Sequence, residues 1–129
     1  MRYLGLDWIE AVKAHVADSE SMRAAAETCS IGVTQVVTEG PEGNVVYHLQ
    51  VGDGLASFGP GPAPREDVRL EQSWQTAVGI ATGNIPAQTA FVSGLVRVSG
   101  DTQKVVENVA VFAALDAAFG AVRDLTTYD

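Results

Sequence analysis

Residues 83–101 read GNIPAQTAFVSGLVRVSGD, and this stretch holds the signals that decide the fold. Gly83 is placed to end a preceding helix, because glycine is preferred just past a helix C-terminus. Pro86 then opens a short helical turn. Residues 92–98 predict a strand, and Asp101 is placed to cap a long final helix. The stretch therefore predicts a helix, a strand and a helix in succession.

The upstream sequence predicts helix first and then four strands. Residues 31–38 are rich in β-branched side chains, and residues 45–51 alternate between apolar and polar positions. Asp53-Gly54 is a tight-turn dipeptide, and residues 67–71 alternate again. This order predicts an α/β (α+β) domain with a five-stranded mixed or antiparallel sheet and helices mainly on one face.

Length, charge and cysteine content exclude several classes of protein. The chain has 129 residues, 47% hydrophobic, with a formal net charge of −8, which predicts one globular domain over residues 1–129. The acidic balance argues against nucleic-acid binding and against docking on anionic lipid. The sequence has a single cysteine, begins unlike a secretory signal and contains no apolar run of bilayer length. We therefore expect a cytoplasmic protein without stable membrane insertion.

The stretch at residues 83–101 closely resembles the sterol carrier protein 2 (SCP2) family. Members carry a glycine, a proline-containing turn, Gln-Thr-Ala-Phe and then a Gly-Lys-Leu-Lys-Ile-x-Gly strand. The resemblance covers about residues 27–115, and the chain looks like a small standalone bacterial-type member. The matching positions are Gly83, Ile85, Gln88, Thr89, Ala90, Phe91, Gly94, Val96, Val98, Gly100 and Asp101.

This resemblance implies a sheet covered by helices around an apolar tunnel. Family members bind fatty acids, fatty acyl-CoA, sterols or other lipids without doing chemistry, and no cofactor is implied. Two positions depart from the family pattern. Leu95 stands where members have lysine, and Ala77 stands where an aromatic residue is common.

The final predicted helix carries two apolar stripes, whereas a surface helix needs only one. The second stripe requires burial in a large core, a partner subunit, or a lid over an apolar cavity. Alanines and glycines on the predicted helices leave volume that either dense packing or a ligand tunnel would use. The first stripe is Val105, Val109, Phe112 and Phe119, and the second is Val111, Leu115, Ala118 and Val122.

We expect a lipid or other hydrophobic small molecule as the partner. Basic residues are few, so a fatty acid, a sterol-like molecule or another neutral lipid is favoured over a CoA ester. The predicted ligand contacts are Trp74, Val78, Ile85, Phe91, Val105, Val109, Phe112, Leu115 and Phe119. A homodimer through an apolar patch on the outer sheet face is a further hypothesis, with Val36, Val46 and Leu95 as its residues.

No catalytic residue, metal ligand or cofactor is predicted. Cys29 and His48 are the nearest approach to a nucleophile and base, and a structural cysteine with an ordinary surface histidine is the simpler interpretation. Asp116 would become a functional candidate only if it faced the tunnel. Two alternatives remain: a structural or dimerisation module with a filled tunnel, and a small enzyme acting on a hydrophobic substrate.

Overall fold

The structure is a computed structural model that describes residues 1–128, except for the side chains of Ala87, Gln88 and Phe91. It begins with two helices, α1 (Leu6–Asp18) and α2 (Glu20–Thr28). They are separated at Ser19, whose Oγ accepts a hydrogen bond from the backbone N–H of Met22 at 3.1 Å. Such a side-chain cap satisfies one of the free N–H groups in the first turn of α2.

Five strands follow in one mixed sheet, as the sequence predicts. They are β1 (Ile31–Gly40), β2 (Gly43–Gly52), β3 (Leu55–Pro60), β4 (Val68–Ser73) and β5 (Arg97–Gly100). Their order across the sheet is β3-β2-β1-β4-β5. Strands β1 and β4 pair in parallel and the other neighbours are antiparallel.

The later helices are α3 (Trp74–Ala81), α4 (Ala87–Val92), α5 (Thr102–Glu107) and α6 (Val109–Val122), and a 3₁₀ turn (Arg123–Leu125) follows α6. Helix α6 packs against α1 and α2, and α3 packs against β1 and β4. These contacts place one helical layer on one face of the sheet. The core lies between the two layers.

Two predicted boundaries are wrong. The fifth strand begins at Arg97 and not at Val92, because α4 continues to Val92 and Gly94 then turns the chain with a φ of +81°. The final helix is interrupted at Asn108, whose side-chain Nδ2 donates to the carbonyl oxygen of Lys104 at 2.7 Å. That local bond favours a helix end over a continuous helix.

The other face of the sheet is crossed by the proline-rich loop of residues 61–67. Ala63 N donates to Thr34 Oγ1 at 2.9 Å, and Arg65 N donates to Gln50 Oε1 at 3.0 Å. A Cβ on Gly32 would collide with the carbonyl of Arg65. The loop therefore lies directly on β1, and residues 31–37 are all buried.

The predicted dimer patch does not form as expected. Val36 and Val46 are opposite each other in the register of β1 and β2. Val36 is nevertheless only 9% exposed. Leu95 lies in the turn before β5 and is not a strand residue. The homodimer hypothesis therefore loses the strand-borne patch on which it depended.

Candidate ligand cavity

An open cavity of about 330 Å³ lies between the sheet and the helices. Its volume is near the lower end of the range for small-molecule sites, roughly 300–1,000 Å³. Strands β1, β2 and β4, helices α3, α5 and α6, Tyr3 near the N-terminus and Val96 just before β5 contribute to the walls. The lining residues are Tyr3, Gln35, Tyr47, Leu70, Gln72, Ala77, Ile80, Ala81, Val96, Val105, Val109, Phe112, Ala113, Leu115, Asp116 and Phe119.

The two apolar stripes of the predicted final helix have different surroundings. The second stripe is buried in the core, with Val111 at 0% and Val122 at 1% exposure, and its Leu115 also borders the cavity. Every residue of the first stripe lines the cavity, and Val109 in that stripe remains 63% exposed. The interruption at Asn108 divides the first stripe between α5 and α6.

Helix α3 contributes small residues to the opposite wall. Ala77 and Ala81 are buried and line the cavity together with Ile80. Because alanine ends at Cβ, these two positions leave volume that larger side chains would fill. Ala77 is also the position at which the SCP2 resemblance leads us to expect an aromatic residue.

The sheet supplies a polar pair to this otherwise apolar space. Gln72 Nε2 donates a hydrogen bond to Gln35 Oε1 at 3.1 Å. Gln35, on the central strand β1, is 7% exposed. We define these two side chains as the glutamine pair. The sequence analysis did not identify the pair, although Gln35 stands between Val33 and Val37 on the inward-facing positions of β1.

Two buried tyrosines complete the polar lining. Burial raises the pKa of Tyr47, and burial followed by the charges of Tyr47 and Tyr128 raises the pKa of Tyr3. Both phenols therefore stay protonated and neutral at physiological pH. Trp8 contacts both rings, and its ring centroid lies 5.0 Å from that of Tyr3 and 6.0 Å from that of Tyr47.

The charged lining is limited to one carboxylate. Among the described side chains that line the cavity, Asp116 is acidic and none is Lys, Arg or His. Asp116 is exposed on α6 and also borders the cavity. The described lining therefore offers no cation to an anionic ligand.

Five of the nine predicted ligand contacts line the cavity, namely Val105, Val109, Phe112, Leu115 and Phe119. Three predicted contacts lie elsewhere. Trp74 packs on Tyr3 with 5.3 Å between ring centroids, and Ile85 packs against Gly79 of α3. Val78 is half-buried against the core. The side chain of Phe91 is outside the described residues.

A second depression of about 580 Å³ lies beside the turn between β2 and β3 and is more polar. Its most buried charged group, Asp67, already has its partners. One carboxylate oxygen accepts from Lys104 Nζ at 3.1 Å, and the other accepts from the N–H of Gly32 at 2.8 Å. These bonds join β1, the start of β4 and α5, so Asp67 has a structural role.

Residues 9–113 match the sequence pattern of the SCP-2 sterol transfer family. The chain belongs to this family. The match spans the sheet, α3 and most of the helical wall of the cavity, and it confirms the resemblance seen at residues 83–101. None of the curated proteins matches the chain.

Solved structures of SCP2 proteins share the fold. A conserved hypothetical protein of Thermus thermophilus, suggested to be a sterol carrier protein, has a TM-score of 0.72 at 20% identity, covering 96% of this chain and 90% of that one. A crystal structure of sterol carrier protein 2 has a TM-score of 0.68 at 20% identity, covering 94% of this chain and 97% of that one. The apo form of sterol carrier protein 2 from Yarrowia lipolytica has a TM-score of 0.63 at 16% identity, covering 94% of this chain and 98% of that one.

Two other kinds of site are absent from residues 1–128. No helix in that range has the length and apolar character needed to cross a membrane. The same residues hold no group of three or more His, Cys, Asp or Glu side chains that could bind a metal ion.

Proposed function

We propose that this protein binds a hydrophobic small molecule, a lipid or lipid-like compound, in the cavity and carries it without chemical change. The observation that carries the proposal is the open cavity walled by the first apolar stripe. Soluble proteins rarely leave large contiguous apolar surfaces exposed unless they are used for binding. Membership of a sterol-transfer family points to the same class of ligand.

The proposed ligand contacts are the five sequence-predicted residues that line the cavity, namely Val105 of α5 and Val109, Phe112, Leu115 and Phe119 of α6. Removing apolar surface from water yields about 25 cal/mol per Å² before the costs of association. Micromolar affinity corresponds to about 8 kcal/mol and thus requires roughly 300–350 Å² of covered apolar area. Further covered area is needed to offset the free-energy cost of association. A chain of ten or more methylenes along the helical wall supplies area of this order without a charged anchor.

Carriage without catalysis is proposed because the described side chains of the cavity lining include no nucleophile in contact with a base. Its described polar side chains are the glutamine pair, two neutral tyrosines and Asp116. His15, His48 and Cys29 line no part of it. His48 Nδ1 instead lies 3.0 Å from the carbonyl oxygen of Gly61 in the proline-rich loop.

The rival function, a structural module with a filled tunnel, requires this space to be closed. The volume of about 330 Å³ and the exposure of Val109 favour a binding site instead. Native mass spectrometry of protein purified without delipidation distinguishes the two. We expect a lipid-sized adduct that organic extraction removes, and a thermal shift when dodecanoate, dodecan-1-ol or cholesterol is added. The absence of both an adduct and any shift would overturn the proposal.

A further inference from the structure

The glutamine pair is an unusual feature in a cavity whose remaining sheet and helix surfaces are mostly apolar. A buried amide costs free energy unless its hydrogen bonds are made. A hydrophobic ligand that filled this space would also remove any water that now reaches the two amides. The pair therefore constrains the chemistry of whatever occupies the cavity.

Counting donors and acceptors shows what the pair still offers. Each carboxamide has two N–H donors and one oxygen with two lone pairs. Their mutual bond uses one N–H of Gln72 and one lone pair of Gln35. The Nε2 of Gln35 and the Oε1 of Gln72 bond to no other side chain or backbone group among the described residues. Exchanging the oxygen and nitrogen of both amides leaves the same free donors and acceptor.

These free groups face the cavity. Within the described part of the chain, every fully enclosed side-chain nitrogen or oxygen has a hydrogen-bond partner. The unpaired amide atoms must therefore be in contact with open space, and both glutamines line the cavity. Tyr47 lines it as well, next to Gln35 in the register of β1 and β2.

We propose that the ligand carries an uncharged hydroxyl or carbonyl oxygen that hydrogen-bonds to the Gln35–Gln72 pair, with its apolar body against the first apolar stripe. This inference rests on the proposed function and specifies its ligand. A neutral oxygen accepts from a free amide N–H, and a hydroxyl can also donate to the free amide oxygen. A carboxylate is disfavoured because none of the described lining residues is a cation and Asp116 adds a negative charge.

The test compares three ligands with the same chain length: dodecan-1-ol, dodecanoate and dodecane. Each is delivered from a cyclodextrin complex at pH 7.5 and displaces a fluorescent apolar probe. We expect the alcohol to bind about tenfold more tightly than dodecane, because dodecane leaves buried amide groups unpaired. Dodecanoate is expected to bind more weakly than the alcohol.

The variant Gln72→Met keeps the length of the side chain and removes its hydrogen-bonding groups. It should reduce affinity for the alcohol about tenfold, so that the alcohol loses its advantage over dodecane. Dodecane should still bind, which shows that the cavity remains folded. The matched control is Gln75→Met, since Gln75 is exposed on the same helix-strand junction and does not line the cavity. It should leave all three affinities unchanged.

The outcomes separate this inference from the proposed function. Equal affinity for alcohol and dodecane, or an alcohol preference that survives in Gln72→Met, would overturn the inference while hydrophobic binding stands. Tighter binding of dodecanoate than of dodecan-1-ol would also overturn it. If none of the three ligands binds, the inference fails, and the proposed function fails with it when native mass spectrometry shows no adduct and cholesterol gives no thermal shift.

Discussion

Gln72 of β4 donates a hydrogen bond from Nε2 to the Oε1 of Gln35 on the parallel neighbour β1, at 3.1 Å and inside the cavity. This bond places a hydrogen-bonding surface on the sheet side of a space whose helical side is formed by Val105, Val109 and Phe112. The cavity is therefore amphipathic. It has the chemistry of a site for an amphiphile with a neutral polar group.

Filling the cavity from α3 should block binding without unfolding the chain. In Ala81→Phe, the ring enters space that is now empty, so the melting temperature should change by only a few degrees. Affinity for dodecan-1-ol should fall at least tenfold because the ring and the ligand compete for the same volume. Probe-displacement titration and thermal unfolding measure the two effects.

The matched control for that change is Ala117→Phe. Ala117 is exposed on α6 and is not part of the cavity lining. Its affinity for dodecan-1-ol should equal that of the native protein. Unchanged binding in Ala81→Phe would mean that the ligand occupies another site.

Neutralising Asp116 should favour anionic ligands selectively. We expect Asp116→Asn to increase affinity for dodecanoate roughly two- to fivefold at low salt, the range of an exposed charge interaction. The gain should shrink at 0.5 M salt, and affinity for dodecan-1-ol should not change. Asp124→Asn, outside the cavity lining, is the control and should affect neither ligand. An equal gain for the alcohol would contradict an electrostatic cause.

Two helical glycines should respond to alanine in opposite directions. A Cβ at Gly120 in α6 meets nothing within 4 Å, so Gly120→Ala should stabilise the fold by about 0.5–1 kcal/mol. A Cβ at Gly79 in α3 would collide with the side chain of Ile85, so Gly79→Ala should destabilise it by about 1–3 kcal/mol. Chemical denaturation of both variants measures the difference. Equal effects would be inconsistent with close packing of Ile85 on α3.

Alkaline pH should destabilise the protein through its buried phenols. Burial raises the pKa of Tyr3 and Tyr47, so the unfolded chain loses these protons near pH 10 while the folded chain retains them. The stability associated with the neutral phenols is complete below about pH 10 and is lost as pH rises further, by up to about 1.4 kcal/mol per pH unit for each phenol.

Thermal unfolding from pH 8 to pH 11 tests this dependence. Tyr47→Phe keeps the ring and removes the ionisable group, so its melting temperature should fall less steeply above pH 10 than that of the native protein. Tyr3→Phe removes the other buried phenol and should likewise make the fall above pH 10 less steep. Identical slopes in the native protein and in Tyr47→Phe would contradict the role of burial.

The number of strands and the family were predictable from local patterns. Residues 83–101 carry spaced glycines and the Gln-Thr-Ala-Phe segment. The β-branched run of residues 31–38 and the alternating run of residues 45–51 mark two strands. The parallel pairing of β1 with β4 was not predictable in the same way. It joins residues more than thirty positions apart, and the sequence of either strand alone does not indicate which strand it pairs with.

The errors arose where local hydrogen bonding outweighed side-chain pattern. The valines of residues 92–98 favour a strand, yet Ser93 N donates to Thr89 O at 2.9 Å and extends the helical turn. Asn108 occupies a position that helical periodicity alone would continue through. Its side chain bonds back to Lys104 O and divides the helix.

The cavity lining was predictable on its helical side and less so on its sheet side. The two apolar stripes of the final helix identified five lining residues. A helix with two apolar faces needs a second apolar environment besides the core, and here that environment is the cavity. Gln35 was detectable in principle as a polar residue at an inward strand position. Its pairing with Gln72 depends on the β1–β4 register, which only the folded structure shows.

The most direct test of the account is an NMR titration of the ¹⁵N-labelled protein with dodecan-1-ol, following the side-chain amide signals of Gln35 and Gln72. We predict saturable shifts of both pairs of NH₂ signals, together with backbone shifts in α5 and α6. The amide signals of the exposed Gln75 should stay in place. Saturable binding that leaves the Gln35 and Gln72 signals unmoved, or no saturable shift at all, would contradict ligand binding in this cavity.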